Sequence, residues 1–245
     1  MRSASQRGLL FSALVTVAWL LSLGLLLVEQ PGQLPFPALI AAVLLRTMLQ
    51  TALFIVGHDA MHGVLWSERQ AWNHRLGALA LALYAALPYA RCRTKHAHHH
   101  AHQASEADPD FLGNPRAGAL RWYLHFMGSY LAPQQMGQLL LSWLVLALAL
   151  QARQPGAWIQ VLLFCSLPLL LSSLQLFVFG TYLPHRLQKA PWRQSQASSL
   201  EWPAWLSLLA CFHFGYHREH HESPALSWFD LPGAHAARRA RVASP

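Results

Sequence analysis

The residues of this chain best equipped for chemistry are histidines set at helical spacing. Eight of its 15 histidines fall into three short sets: His58 and His62; His96, His99 and His100; and His217, His220 and His221. Residues at i, i+3 and i+4 share one helix face, so each set, once helical, turns its rings to one side. Neutral imidazole is the commonest side-chain ligand of transition metals, and sites rich in it suit iron, copper, zinc or nickel. Three such faces meeting supply about eight nitrogens, too many for one ion and about right for two.

The middle set has an alternative register, because His98 and His102 are also four residues apart. The spacing of His96, His99 and His100 is preferred because it recurs at His217, His220 and His221. The first set has the spacing of the zinc-protease His-Glu-x-x-His, but Asp59 stands where the catalytic Glu would be, which argues against a protease. Ligating histidines usually give their second ring nitrogen to a carboxylate or carbonyl. Asp59, Asp108, Asp110, Glu219 and Glu222 are the nearby acids able to accept it. His185, at the end of an apolar stretch, is a candidate ninth ligand, and by position alone it reads equally as an interfacial hydrogen-bonding histidine. His74, His125, His213 and His235 have no partner in a convincing register.

These sets need elements to carry them, and the composition says those elements are embedded in lipid. Only 11% of the 245 residues are charged, against 54% hydrophobic, where a soluble domain carries about a quarter charged. A spanning helix needs about 20 mostly apolar residues. Four stretches approach that: 8–28, 36–57, 136–152 and 157–182. Pro168 should kink the fourth. The apolar run Leu76–Ala90 is too short to cross and reads as a surface or partly embedded helix. The first stretch, preceded by Arg2 and Arg7, is too long for a signal-peptide core and is not followed by a small-residue cleavage site, so it reads as a retained helix.

With two crossings before His58 and two more before His217, all three sets fall on one side of the membrane. Charge agrees. Of the 18 Lys and Arg residues, Arg46 lies inside a span, Arg153 lies in an outer turn, and the other 16 lie on the histidine side. The positive-inside rule makes that side cytoplasmic. The expected architecture is thus an all-α integral membrane protein, one domain over 1–245, with four transmembrane helices and a cytoplasmic histidine-rich cap. The segment 232–245, with Arg238, Arg239 and Arg241, reads as a disordered cytoplasmic tail able to lie against anionic lipid.

The net charge of +8 is explained by this topology and calls for no nucleic acid. A non-redox metal transporter would place ionisable ligands within its spans, and only Arg46 is found there. The three cysteines, Cys92, Cys165 and Cys211, have no metal-site or disulfide spacing.

The order of the three sets on four apolar helices resembles the membrane di-iron desaturase and hydroxylase superfamily. Longer strings resemble the carotenoid 4-ketolases (β-carotene ketolases) within it: Gly57 through Gly63, Lys95 through Phe111, Phe179 through Arg186, and Phe214 through Glu222. The chain departs from that pattern at Ala101, where similar ketolases tend to have another histidine. The resemblance implies that His58, His62, His96, His99, His100, His217, His220 and His221 hold two irons, with His185 completing the set. It implies O2 as cosubstrate and oxidation of the C4 ring methylene of β-carotene-type carotenoids to a ketone. Two successive hydroxylations would give a geminal diol that loses water, leading to echinenone and canthaxanthin, or toward astaxanthin from a 3-hydroxylated ring. The chain has no flavin, haem or ferredoxin motif, so electrons must come from a separate donor such as a ferredoxin. Histidine spacing alone fits a fatty-acyl desaturase or hydroxylase of the same superfamily equally well.

Overall fold

The computed structural model describes residues 3–29, 31–103, 105–112, 114, 117–186 and 198–243, and among these it is all helical. Four helices are long and apolar enough to cross a membrane: α1 (Ala4–Val28), α2 (Phe36–Met61), α6 (Pro133–Gln151) and α7 (Ala157–Arg186). The protein is an integral membrane protein. Between α2 and α6 lie α3 (Gln70–Ala85), α4 (Tyr89–His102) and α5 (Ala119–Tyr130); after α7 come α8 (Ala204–Cys211), α9 (His217–Glu222) and α10 (Leu231–Ala243).

Local chemistry sets the ends. Ser3 caps α1: its hydroxyl accepts from the Gln6 amide at 3.2 Å, while the Gln6 side chain accepts from the Ser3 amide at 3.0 Å. This reciprocal pair satisfies two amides otherwise left without a partner, and starts the helix four residues before its apolar run. Helix α2 continues past Gly57 to Met61, so His58 rides on the membrane helix itself. The apolar run Leu76–Ala90 is divided: Ala86, at φ 53°, closes α3, and α4 begins at Tyr89. Helices α2 and α3 approach closely at two glycines. A Cβ on Gly57 would lie 2.5 Å from the Leu81 side chain, and one on Gly77 2.5 Å from the Ala60 side chain.

Helix α7 absorbs Pro168 through a wider turn, Leu162–Ser166, in which the Leu167 amide reaches back to the Leu162 carbonyl. Proline removes the amide that would bond the carbonyl four residues earlier, here that of Phe164. Arg46 takes its place: its Nε donates to the Phe164 carbonyl at 3.1 Å. One terminal nitrogen donates to the Trp19 carbonyl at 2.8 Å and to the Ser22 hydroxyl at 3.1 Å. The guanidinium carbon also lies 4.7 Å from the centre of the Trp19 ring. The charge inside the span is therefore a clamp joining α1, α2 and α7.

The C-terminal segment corrects the expected disordered tail. It is helical to Ala243, and His235 is buried. His235 lies flat on Tyr216, with ring centres 4.1 Å apart, and its Nδ1 is 2.9 Å from a Glu219 carboxylate oxygen. Arg238 bonds Glu219 and Glu201. Judged by composition alone, the arginines read as solvated; Arg238 and Arg239 instead meet acids brought in by α9 and the segment before α8. Residues 244 and 245 of that segment lie outside the described residues.

Candidate metal centre

The end of α2 presents His58 and His62, α4 presents His96, His99 and His100, α9 presents His217, His220 and His221, and the end of α7 presents His185. They converge as groups that cut across the sequence motifs. Ligand atoms of His58, His62, His96 and His220 lie within 4.8 Å of one another, and so do those of His99, His217 and His221 and those of His99, Asp108 and His185. His100 stands between the groups. Its Nε2 is 3.1 Å from that of His96 and 3.0 Å from that of His220, and its ring lies flat on His221 with centres 4.1 Å apart.

The spacing of these nitrogens fits metal ions. Nε2 atoms approach at 2.8 Å for His62 and His96, 3.0 Å for His99 and His221, and 3.1 Å for His217 and His221. Neighbouring ligands at right angles around an ion, with metal–nitrogen bonds of about 2.1 Å, lie about 3.0 Å apart. Nδ1 of His58 and both ring nitrogens of His185 are buried without a hydrogen-bond partner, a costly state for polar atoms. Burial, then neighbouring imidazoles, pushes His62 down to about 4 and His100 down to about 3. The same causes hold His96, His217, His220 and His221 far below the ordinary histidine range. These rings are neutral at pH 7, with lone pairs free for a cation.

His99 differs. Burial pushes it down, but Asp110 and Asp108 outweigh burial and hold it above its ordinary value. Its Nδ1 donates to Asp108 at 2.7 Å, which turns Nε2 toward His221. Asp108 in turn accepts from the Asp110 amide at 2.9 Å. Asp110 accepts from the Tyr130 hydroxyl at 2.8 Å, and its backbone carbonyl accepts from the Trp122 indole at 2.8 Å. Tyr130 and Trp122 carry no sequence signal for this role; only the packing of α5 reveals it.

The remaining acids lie differently from expectation. Asp59 is 3.7 Å from His58 Nδ1, too far for a hydrogen bond, and accepts instead from the Trp228 amide at 3.4 Å. Glu222 pairs with Arg218 at 2.7 Å. Glu219 turns away from the imidazoles to Ser199, His235 and Arg238. Burial alone would raise the Glu219 carboxyl, but these donors pull it below its ordinary value. Glu219→Gln should therefore free α10, seen as faster tryptic cleavage at Arg238, Arg239 and Arg241; cleavage at the parent rate would refute the anchor. His98 and His102 lie on the exposed face of α4, their ring centres 4.1 Å apart, away from the converging nitrogens.

Against these imidazoles ends an apolar cavity of about 490 Å³, with His58, His96, His99, His217, His220 and Asp110 at its floor. Phe54, Tyr84, Phe126 and Leu176 form walls, and α6 contributes Met136, Leu139 and Trp143.

The fatty acid desaturase family matches residues 34–244. The chain belongs to this family. Within it, the chain is 43% identical over 197 residues to a beta-carotene ketolase of Paracoccus sp. (strain N81106), covering 79% of this chain and 77% of that one. Identity to the beta-carotene ketolase of Paracoccus sp. (strain PC1) is 40% over 190 residues, covering 76% and 74%. A zeaxanthin 4-ketolase of Chlamydomonas reinhardtii is 38% identical over 218 residues, covering 85% of this chain and 47% of the relative. For this desaturase-family member, the family and the imidazole groups together make the cluster a metal site.

Proposed function

We propose that the chain is a β-carotene 4-ketolase, an O2-dependent membrane oxygenase that converts the C4 methylene of β-carotene-type rings to a ketone. The observation that carries this reading is an apolar cavity between membrane helices that ends on both imidazole groups. The ketolase names of relatives up to 43% identical select a carotenoid over an acyl chain.

The proposed ligands are His58, His62, His96, His100 and His220 for one iron, and His99, His185, His217 and His221 for the other. Bound there, the irons would supply the O2-dependent redox chemistry that breaks a ring C–H bond. The protein's own work is positional. Phe54 and Phe214 hold the ring against the floor; the Phe214 ring centre is 4.5 Å from that of His58. The apolar walls exclude water, and Asp108 fixes His99. Each hydroxylation consumes O2, two electrons and two protons, and the second yields a geminal diol that loses water to leave the ketone. The electrons come from a separate protein such as a ferredoxin. The excess of basic residues on the histidine side supports a cytoplasmic metal centre and cytoplasmic termini, in a bacterial inner membrane. There a soluble donor has access while the carotenoid stays in lipid.

Pigment chromatography of β-carotene-producing bacteria expressing the chain tests this. Echinenone and canthaxanthin are expected. Unchanged β-carotene beside altered acyl chains would overturn the ketolase reading in favour of a desaturase or hydroxylase.

A further inference from the structure

The cavity wall along α7 recurs at helical spacing through Ser166, Leu169, Ser173, Leu176, Gly180 and Thr181. Thr181 lies one turn from His185, and Ser166 lies 15 residues before Thr181. At the α-helical rise of about 1.5 Å per residue that is at most about 22 Å, because Leu176–Tyr182 is a second wider turn. Trp143, on α6, lies eight residues before the end of that helix, and Ser166 nine residues after the start of α7. The two residues are therefore level, and they mark the end of the cavity farthest from the imidazoles.

Ser166 differs from other hydroxyls of the membrane helices. Ser22, Thr47, Thr51, Ser142 and Ser173 each donate to a backbone carbonyl three or four residues earlier, the usual arrangement for a hydroxyl in a helix. The Ser166 hydroxyl is buried and has no hydrogen-bond partner. Ser166 closes the wider turn, in which the Leu162 carbonyl accepts from the Leu167 amide rather than from that of Ser166. The result is an unpartnered hydroxyl on a residue that lines the far end of an apolar cavity.

The distance matches the substrate class of the proposed function, on which this inference rests. A carotenoid's two rings are joined by roughly 19 bonds of extended polyene, about 23 Å at the ~1.2 Å per bond of an extended chain. With one ring on the imidazole floor, the other reaches Ser166 and Trp143. We propose that Ser166 donates a hydrogen bond to oxygen on this distal ring, foremost the keto group left by a first round of oxidation. A hydrocarbon ring offers no acceptor there, whereas a monoketone does. Ser166 thus favours the second round and drives the reaction to the diketone.

The test measures initial rates in membranes containing the parent, Ser166→Ala or Ser166→Thr, fed separately with β-carotene and with its monoketone, echinenone. The ratio of the monoketone rate to the β-carotene rate should fall about three- to tenfold in Ser166→Ala, the worth of one neutral hydrogen bond. Ser166→Thr, which keeps the hydroxyl, should retain the parent ratio. A parent-like ratio in Ser166→Ala, or an equal loss on both substrates, would overturn the proposal while leaving the ketolase reading intact. If the iron-loaded, electron-supplied parent makes no ketone from either substrate, the ketolase reading falls and this proposal falls with it.

Discussion

Ketone formation should drop by more than about 100-fold when His220 is replaced by alanine, exceeding the ~10–100-fold expected for losing an outer partner of a metal ligand. His220 is buried, and its ring centre lies 4.7 Å from that of His58 and 4.8 Å from those of His62 and His100. Removing it takes one nitrogen from a group of five and opens a void at the cavity floor. Iron per chain should fall in parallel, measured on detergent-purified protein whose helical circular dichroism matches the parent. A variant that keeps full iron and full ketone yield would dismantle the assignment of this group.

Asp108→Asn should lower activity and iron affinity by about 10–100-fold, the usual cost of losing a partner that orients a metal-binding histidine. The side chain keeps its size but loses the charge that holds the His99 proton on Nδ1. The same charge, with that of Asp110, raises His99 above the ordinary histidine value of about 6.5. Protonated His99 has no free lone pair, so iron must displace a proton, and uptake by stripped protein should rise as pH rises through that elevated value. In Asp108→Asn the rise should move to lower pH. Identical uptake curves for parent and variant would show that Asp108 does not tune this ring.

Much of this arrangement was legible in the chain. Long apolar runs marked four membrane helices, and recurrence at i, i+3 and i+4 marked the rings that share a face. The pairing between sets was not legible: His220 joins the first two sets while His99 joins His217 and His221, because that depends on how α4 and α9 cross. The sequence offers Asp108 as a partner, but only the loop after α4 shows that it serves His99. Glu219, beside two ligating candidates, was expected to face them; the opposite side of α9 offers His235 and Arg238, and charge pairing decides. Arg46 was partly readable in retrospect, since Pro168 leaves the Phe164 carbonyl without its helical amide.

That clamp lies well away from the chemistry, yet it governs aim. Arg46 and His58 are 12 residues apart on α2, about 18 Å along one stiff rod, and α7 carries both Phe164 and His185. A donor fork seated on fixed carbonyls sets the rotational phase of each rod, as an indexing pin sets a shaft. Turning α2 by one residue, about 100°, would swing His58 away from its neighbours. The orientation of the ligands at the membrane surface is therefore set partly from the middle of the bilayer, where lipid leaves the polar contacts no competing water.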